Sequence, residues 1–95
     1  MQGRRREDVI QEPDGHYGFP EDMAPGDYWK TVHLNGNEEW YGCTPSGWIG
    51  SLRAHTIVEH EDGTISVTPS ILVHEGAAER RQWHGYLTNG QWSEV

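Results

Sequence analysis

The stretch that decides the fold runs His55-Thr56-Ile57-Val58-Glu59-His60-Glu61-Asp62-Gly63-Thr64-Ile65-Ser66-Val67-Thr68-Pro69-Ser70-Ile71. Two runs rich in β-branched residues, each alternating with period two, flank a turn sequence at Glu61-Asp62-Gly63. This pattern is typical of a β-hairpin, because branched side chains suit strands and Asp-Gly suits the left-handed backbone of a tight turn.

The register of this hairpin depends on the length of its turn. A two-residue turn at Asp62-Gly63 pairs Val58 with Val67, whereas a three-residue turn with a glycine bulge pairs Ile57 with Val67. We prefer the first register, because it keeps Glu59 off the apolar face.

Two further hairpins lie on either side of the first, and no stretch has helical periodicity. The later one has an Asn89-Gly90 turn that pairs Leu87 with Trp92. Between the hairpins, Pro69 ends a ladder or marks an edge, because proline has no N–H to donate. The segment Trp48–Arg53 is compatible with a short strand or a single helical turn. The earlier flanking hairpin has strands at Tyr28–Leu34 and Glu39–Cys43, joined by a turn at Asn35-Gly36-Asn37. The later one has strands at Trp83–Thr88 and Gln91–Ser93, joined by a turn at Asn89-Gly90.

Ninety-five residues are enough for one domain. Three hairpins in residues 26–95 predict a mainly β fold, a compact antiparallel roll, sandwich or small barrel. Aliphatic residues are few, so we expect the large aromatic side chains to supply much of the core. We expect Trp48, in a glycine-flanked loop, to be the most exposed tryptophan. The others, expected in the core, are Trp29, Trp40, Trp83 and Trp92.

Residues 1–25 have a different composition from the rest of the chain. They contain three prolines and several glycines but few aliphatic residues, so they cannot bury enough apolar surface to offset ordering entropy. We predict a flexible acidic arm here, before a single small β domain at 26–95. Arg4–Arg6 are basic, whereas residues 7–39 hold nine acidic residues and one lysine.

Charge and composition exclude several classes of protein. The chain has 7 Lys and Arg against 15 Asp and Glu, a net charge of -8. An acidic surface repels phosphate backbones, which makes nucleic acid an unexpected partner, although residues 40–95 hold only six acidic residues against three arginines. No apolar run reaches the roughly 20 residues of a membrane helix, and no secretory signal is recognisable. A single cysteine, Cys43, favours a reducing, cytosolic setting.

The sequence predicts neither a cofactor nor a metal site. Among six histidines the one near pair is His55 and His60, which point to opposite faces of a strand. No serine lies in a nucleophile-elbow signature, and Cys43 is expected to be a small buried residue. We therefore find no catalytic signature and expect a protein that is not an enzyme.

Three segments carry a resemblance to a known family. They are Trp40-Tyr41-Gly42-Cys43-Thr44-Pro45-Ser46-Gly47, Leu52-x-x-His55 continuing to Ile71, and Trp83-His84-Gly85-Tyr86-Leu87. Over roughly residues 40–92, the chain resembles a family of small uncharacterised proteins encoded by bacteriophages and prophages, several from phages of actinobacteria. The resemblance implies a phage gene product that acts in the bacterial host cytoplasm or in the virion, and it implies no mechanism.

These observations predict a non-enzymatic phage accessory or interaction protein that acts through protein–protein contacts with a host or phage partner. The exposed edges of so small a β domain are also compatible with a homo-oligomer. The alternative is a small-ligand binder, a nucleotide-signal sponge or a sugar-binding module, with an aromatic and histidine pocket. The same candidate residues are also compatible with a buried cluster that holds two hairpins together. The candidate binding residues are Trp48, His55, His60, Trp83, His84 and Tyr86.

Overall fold

The structure, a computed structural model, describes residues 1–10, 18–20, 22–33, 36–73 and 82–95. Within these ranges the chain forms strands and turns and contains no helix, so none is present there that could cross a membrane. The mainly β fold class predicted from the sequence is confirmed. In chain order the strands are β1 (Arg4–Arg6), β2 (Val9–Ile10), β3 (Phe19–Pro20), β4 (Asp27–Val32), β5 (Glu38–Cys43), β6 (Ile49–Ser51), β7 (Thr56–Glu59), β8 (Ile65–Val73), β9 (Trp83–Thr88) and β10 (Gln91–Glu94).

The first sheet, called sheet I, has the strand order β1-β4-β5-β6. β1 runs parallel to β4, and the other pairs are antiparallel, with Trp29 opposite Tyr41 in the centre. Of the two readings left open for Trp48–Arg53, the structure has the short strand. It pairs with β5 and places Leu52, just after it, in the core.

The second sheet, called sheet II, has the strand order β10-β9-β8-β7 and is antiparallel throughout. Leu87 lies opposite Trp92, which confirms the register predicted from the Asn-Gly turn. β8 continues through Pro69, and its register on β9 shifts between Val67 and Ile71. Pro69 therefore interrupts the ladder within a central strand. The β7–β8 ladder also ends at Thr68, directly before Pro69, as predicted from a residue without an N–H, whereas the strand itself continues to Val73.

The preferred register of the β7–β8 hairpin was wrong. Ile57 lies opposite Val67, the pairing of the three-residue turn. Gly63 has φ 88°, its N–H donates to the carbonyl of His60 at 3.0 Å, and a left-handed glycine at this place is what a bulged turn requires. The cost of Glu59 on the inner side of β7 is offset by Arg5, whose Nη1 lies 3.2 Å from its Oε2.

The main core lies between the two sheets, which pack as a sandwich. Its centre includes an edge-to-face pair, Trp83 and Trp92, with ring centroids 5.4 Å apart. Contacts of this kind supply the buried area that the few aliphatic residues lack. The cluster comprises Tyr28, Trp40, Leu52, Ile65, Val67, Ile71, Val73, Trp83, Leu87 and Trp92.

A second, smaller core lies on the other side of sheet I. There the short β2–β3 ribbon covers Trp29, Tyr41 and Cys43. The main-chain oxygen of Gly18 accepts hydrogen bonds from Nε1 of Trp29 at 3.2 Å and from Oγ1 of Thr31 at 3.0 Å. The predicted burial of the core tryptophans is thus confirmed on both sides of the sheet, and Trp48 is the most exposed, at 36%.

The beginning of the chain differs from the flexible arm expected over residues 1–25. Gly3 N donates to the oxygen of Gly90 at 2.7 Å, Trp92 N donates to the oxygen of Met1 at 2.8 Å, and Arg4–Arg6 form β1. This segment thus bridges sheet II and sheet I. Composition does not reveal this order, because it rests on main-chain hydrogen bonds and ion pairs. Residues 11–17 and 21 of the expected arm lie outside the described residues.

Candidate functional site

The four described strands of sheet II present no charged residue on the side that points away from the core. Successive side chains of a strand point to opposite faces of the sheet. The apolar residues that pair across the strands, such as Val67 with Leu87, point to the core, so the residues on either side of them along each strand form the outer surface. The charged residues of these four strands are Glu59 and Glu94. Both lie on the core side of the sheet, because Glu59 pairs with Ile65 and Glu94 pairs with Gly85. We call this surface the outer face; it comprises Thr56, Val58, His60, Ser66, Thr68, Ser70, Leu72, His84, Tyr86, Thr88, Gln91 and Ser93.

Three large side chains on the outer face are exposed to solvent. Val58 on β7 is 51% exposed, Leu72 on β8 is 40% and Tyr86 on β9 is 46%. The register separates the three along and across the strands, with Val58 opposite Ser66 and Leu72 opposite His84, so they are distributed over the uncharged face.

Tyr86 projects from the middle of the outer face. On β10 its partner is Ser93, and on β8 it lies opposite the irregular segment 68–70, between the Ile71 and Val67 pairs. Small side chains therefore flank the ring on both sides, which explains why nearly half of it is exposed.

Two histidine–serine pairs lie on the outer face. Nε2 of His60 is 2.7 Å from Oγ of Ser66, and Nε2 of His84 is 2.9 Å from Oγ of Ser70. Ser66 Oγ also accepts a hydrogen bond from the N–H of Asn89 at 2.9 Å. No carboxylate among the described residues bonds either ring, so the orienting third group of a nucleophilic triad is missing in that part of the chain. These pairs instead join neighbouring strands of sheet II, His60–Ser66 at the β7–β8 hairpin and His84–Ser70 between β8 and β9.

Of the six candidate binding residues, the structure brings three together on the outer face: His60, His84 and Tyr86. Trp83 is 4% exposed and packs in the core, because it precedes His84 and therefore points inward. Trp48 belongs to the β5–β6 turn of sheet I, where its main-chain oxygen accepts a hydrogen bond from Thr44 N at 3.0 Å.

His55 lies in the turn before β7 and does not belong to the outer face. Its Nε2–H donates to the main-chain oxygen of Ser70 at 3.1 Å, and its Nδ1 is buried without a partner among the described residues. Ser70 thus holds His55 through its main chain and His84 through its side chain. The half-buried His55 thus joins the turn before β7 to β8, and three of the six candidates, Trp48, His55 and Trp83, lie away from the outer face.

A pocket of about 250 Å³ lies on sheet I, and none of the six candidates lines it. Arg5 Nη1 lies 3.2 Å from Glu59, and Lys30 Nζ lies 3.4 Å from Glu38. The hydrogen bond from Arg5 holds the pKa of Glu59 below its usual range. Because these cations are already paired with carboxylates, the pocket offers little unsatisfied charge to an anion. It is lined by Arg5, Arg6, Glu7, Val9 and Lys30.

A polar cluster beside the second core was also not predicted. Glu39 accepts a hydrogen bond from Ser51 Oγ at 2.8 Å and lies 3.1 Å from Nε2 of His33. Burial alone would raise the pKa of Glu39, but the bonds from Ser51 and His33 lower it. The carboxylate lies between serine and histidine, so the imidazole is not placed to take the serine proton.

Metal and thiol chemistry find no support in the described residues. Within those ranges no three His, Cys, Asp or Glu side chains are grouped to hold a metal ion. Burial, assisted by the charge of Asp27, raises the pKa of the Cys43 thiol, which disfavours the reactive thiolate.

Sequence reasoning missed Val58 and Leu72, and it missed the absence of charge on the outer face. The signal was present in the alternation of β7 and β8, where every second residue is uncharged. No protein-family model, curated protein or solved structure matches this chain.

Proposed function

We propose that the protein is a non-enzymatic interaction module that binds another protein through the outer face of sheet II. One observation carries this proposal: the four described strands of this face present no Asp, Glu, Lys or Arg, in a chain with 15 acidic and 7 basic residues. Charged residues are depleted at the centres of protein interfaces, so an uncharged face favours burial against a partner.

The shape of the face favours a protein over a small ligand. Small-molecule sites are concave and surround most of the ligand. Tyr86 instead projects from an extended sheet. The two tryptophans expected to line a pocket lie elsewhere, Trp83 in the core and Trp48 on sheet I. Tyrosine is enriched at protein interfaces relative to the rest of the protein surface.

The polar groups on the face support binding without catalysis. The His84–Ser70 pair is exposed and the His60–Ser66 pair only partly buried, whereas catalytic nucleophiles lie where water is excluded and charge is stabilised. In the phage setting that the resemblance implies, the partner is a host or phage protein met in the bacterial cytoplasm or in the virion.

Site-specific photo-cross-linking in the host cell tests this proposal. A benzophenone amino acid replaces Tyr86 in one variant and Val32 in the other, because Val32 is 47% exposed but belongs to sheet I. After illumination we expect a discrete adduct, identified by mass spectrometry, from position 86 and not from position 32.

A second substitution makes this result specific. Leu72→Lys places a charge on the same face and should remove the adduct formed from position 86, since an unpaired charge at a contact is costly. Equal adducts from positions 86 and 32, or no adduct from position 86, would overturn the proposal.

A further inference from the structure

We infer that acidification weakens binding through the outer face, because His60 and His84 gain positive charge there. This inference rests on the proposed function and names the regulation of the same site. The position of the two rings, their hydrogen bonds and their charged neighbours support it.

The two histidines lie on either side of Tyr86. His84 precedes Tyr86 by two residues on β9, so its side chain leaves the same face about 7 Å away. His60 bonds Ser66, which lies beyond Tyr86 toward the β9–β10 turn and accepts the N–H of Asn89 at 2.9 Å. Histidine is the side chain that ordinarily changes charge between pH 5 and 8. The outer face, uncharged when both rings are neutral, therefore carries two positive charges around its exposed tyrosine when both are protonated.

The hydrogen bonds of the two rings allow this change of charge without unfolding. Nε2 of His60 lies 2.7 Å from Ser66 Oγ, and Nε2 of His84 lies 2.9 Å from Ser70 Oγ. A serine hydroxyl can donate to a neutral ring nitrogen and can accept from a protonated one, so each pair persists in both states. Protonation thus changes the charge of the outer face and leaves the strands of sheet II in place.

The charged neighbours of His60 lie in its own hairpin. They are Glu59, which is on the core side of β7, and Glu61 and Asp62 in the turn. Hydrogen bonds from Thr64 hold the pKa of Asp62 below its usual range, and attraction to the charge of His60 contributes. The His60 ring therefore stands between a carboxylate in the turn and the uncharged face that Ser66 and Asn89 continue.

His84 has no charged side chain facing it from the described strands on either side of β9. On β8 it bonds Ser70, and on β10 the N–H of Val95 donates to its main-chain oxygen at 2.9 Å, whereas Glu94 lies on the core side. The other titratable ring nearby is His55, which donates to the main-chain oxygen of the same Ser70 from the turn before β7. A positive charge on His84 is therefore not balanced by a carboxylate of these strands.

Charge on the two rings opposes burial of the outer face. A partner surface complementary to an uncharged face offers no carboxylates to receive new cations. Burial of a cation without an opposite charge costs far more than burial of a neutral ring. The complex therefore dissociates more readily as the pH falls through the range in which histidine gains its proton.

Photo-cross-linking at two pH values tests this inference. The chain with a benzophenone amino acid at position 86 is added to a clarified lysate of the host cells, buffered at about pH 7.5 or about pH 5.5. We expect a roughly tenfold lower yield of the adduct at the lower pH. The double variant His60→Gln and His84→Gln should lose most of this difference, because glutamine stays neutral and still bonds a serine hydroxyl. His33→Gln, which removes a ring from sheet I, is the matched control and should keep the wild-type ratio of the two yields.

The outcomes separate the inference from the proposed function. An adduct with equal yield at the two pH values leaves the proposed function standing and overturns the inference. An equal fall in the wild type and the double variant also overturns it, because the charge then arises elsewhere. Far-ultraviolet circular dichroism should show the same sheet signal at both pH values, and loss of that signal at the lower pH would mean unfolding and overturn the inference as well. No adduct at either pH removes the proposed function and the inference together.

Discussion

The Arg4 guanidinium and the buried carboxylate of Asp27 form a two-point ion pair, with Nε to Oδ1 and Nη2 to Oδ2 both at 3.1 Å. Asp27 opens β4, and Arg4 is its register partner on β1, so this pair fixes the parallel alignment of the two strands. Arg6 Nη1 and the N–H of Ala24 also donate to Oδ2, each at 3.0 Å. A single carboxylate thus orders the first strand of a chain segment that has little apolar surface.

Asp27→Asn should lower the free energy of unfolding by about 1–3 kcal/mol, because the amide cannot accept from two guanidinium groups and its NH2 faces donors. Urea titration at pH 7 measures this change. Glu94→Gln, a carboxylate removed from the exposed end of β10, is the matched control and should leave stability unchanged. Equal stability of Asp27→Asn and the wild type would contradict the role given to the carboxylate.

The same pair predicts a dependence on pH. Burial alone would raise the pKa of Asp27, but hydrogen bonds from Arg4, Ala24 and Arg6 hold it below its usual range. A lowered folded-state pKa contributes stability that is complete above the unfolded value of about 4 and is lost as the pH falls through the folded value. The stability difference between wild type and Asp27→Asn should therefore be constant from about pH 7 to 5 and shrink below about pH 4. A constant difference down to pH 2.5 would disprove this assignment.

Gly85→Ala should destabilise the protein for steric reasons. An added Cβ would overlap the main-chain oxygen of Ser93 and lie 2.5 Å from Cη2 of Trp83, and neither atom can move without disturbing the sheet or the core. We expect a loss of about 1–3 kcal/mol or more, measured by thermal or urea unfolding. Thr88→Ala, at an exposed position of the same strand, is the comparison and should change little.

Gly63 tests the backbone of the bulged turn without a steric effect. Its φ is 88° and no atom lies within 4 Å of an added Cβ, so Gly63→Ala should cost only the left-handed strain of about 1–2 kcal/mol. Asparagine tolerates this region, so Gly63→Asn should cost less. Alanine and asparagine with the same stability as glycine would contradict the left-handed backbone at this position.

Local sequence was sufficient where local chemistry decides the structure. The Asn89-Gly90 turn has positive φ at both residues, 49° and 75°, which specifies a two-residue hairpin and with it the pairing of Leu87 with Trp92. The Asp62-Gly63 turn has two compatible registers. The choice between them depends on Arg5, far away in sequence, which makes Glu59 acceptable on the inner side of its strand.

The candidate site was predicted only in part for a related reason. Residue type singled out Trp83 and His84 together, but neighbours in a strand point to opposite faces, so only His84 reaches the outer face. Val58 and Leu72 were passed over, because an aliphatic residue in a strand is expected in the core until the sheet order shows which face is covered.

The central claim is that the outer face of sheet II is the surface through which the protein binds another protein, and the cross-linking yields of a benzophenone amino acid at Tyr86 and at Val32 test it most directly. We predict a discrete adduct from position 86, which Leu72→Lys removes, and no adduct from position 32. Equal adducts from both positions, or none from position 86, would contradict the account.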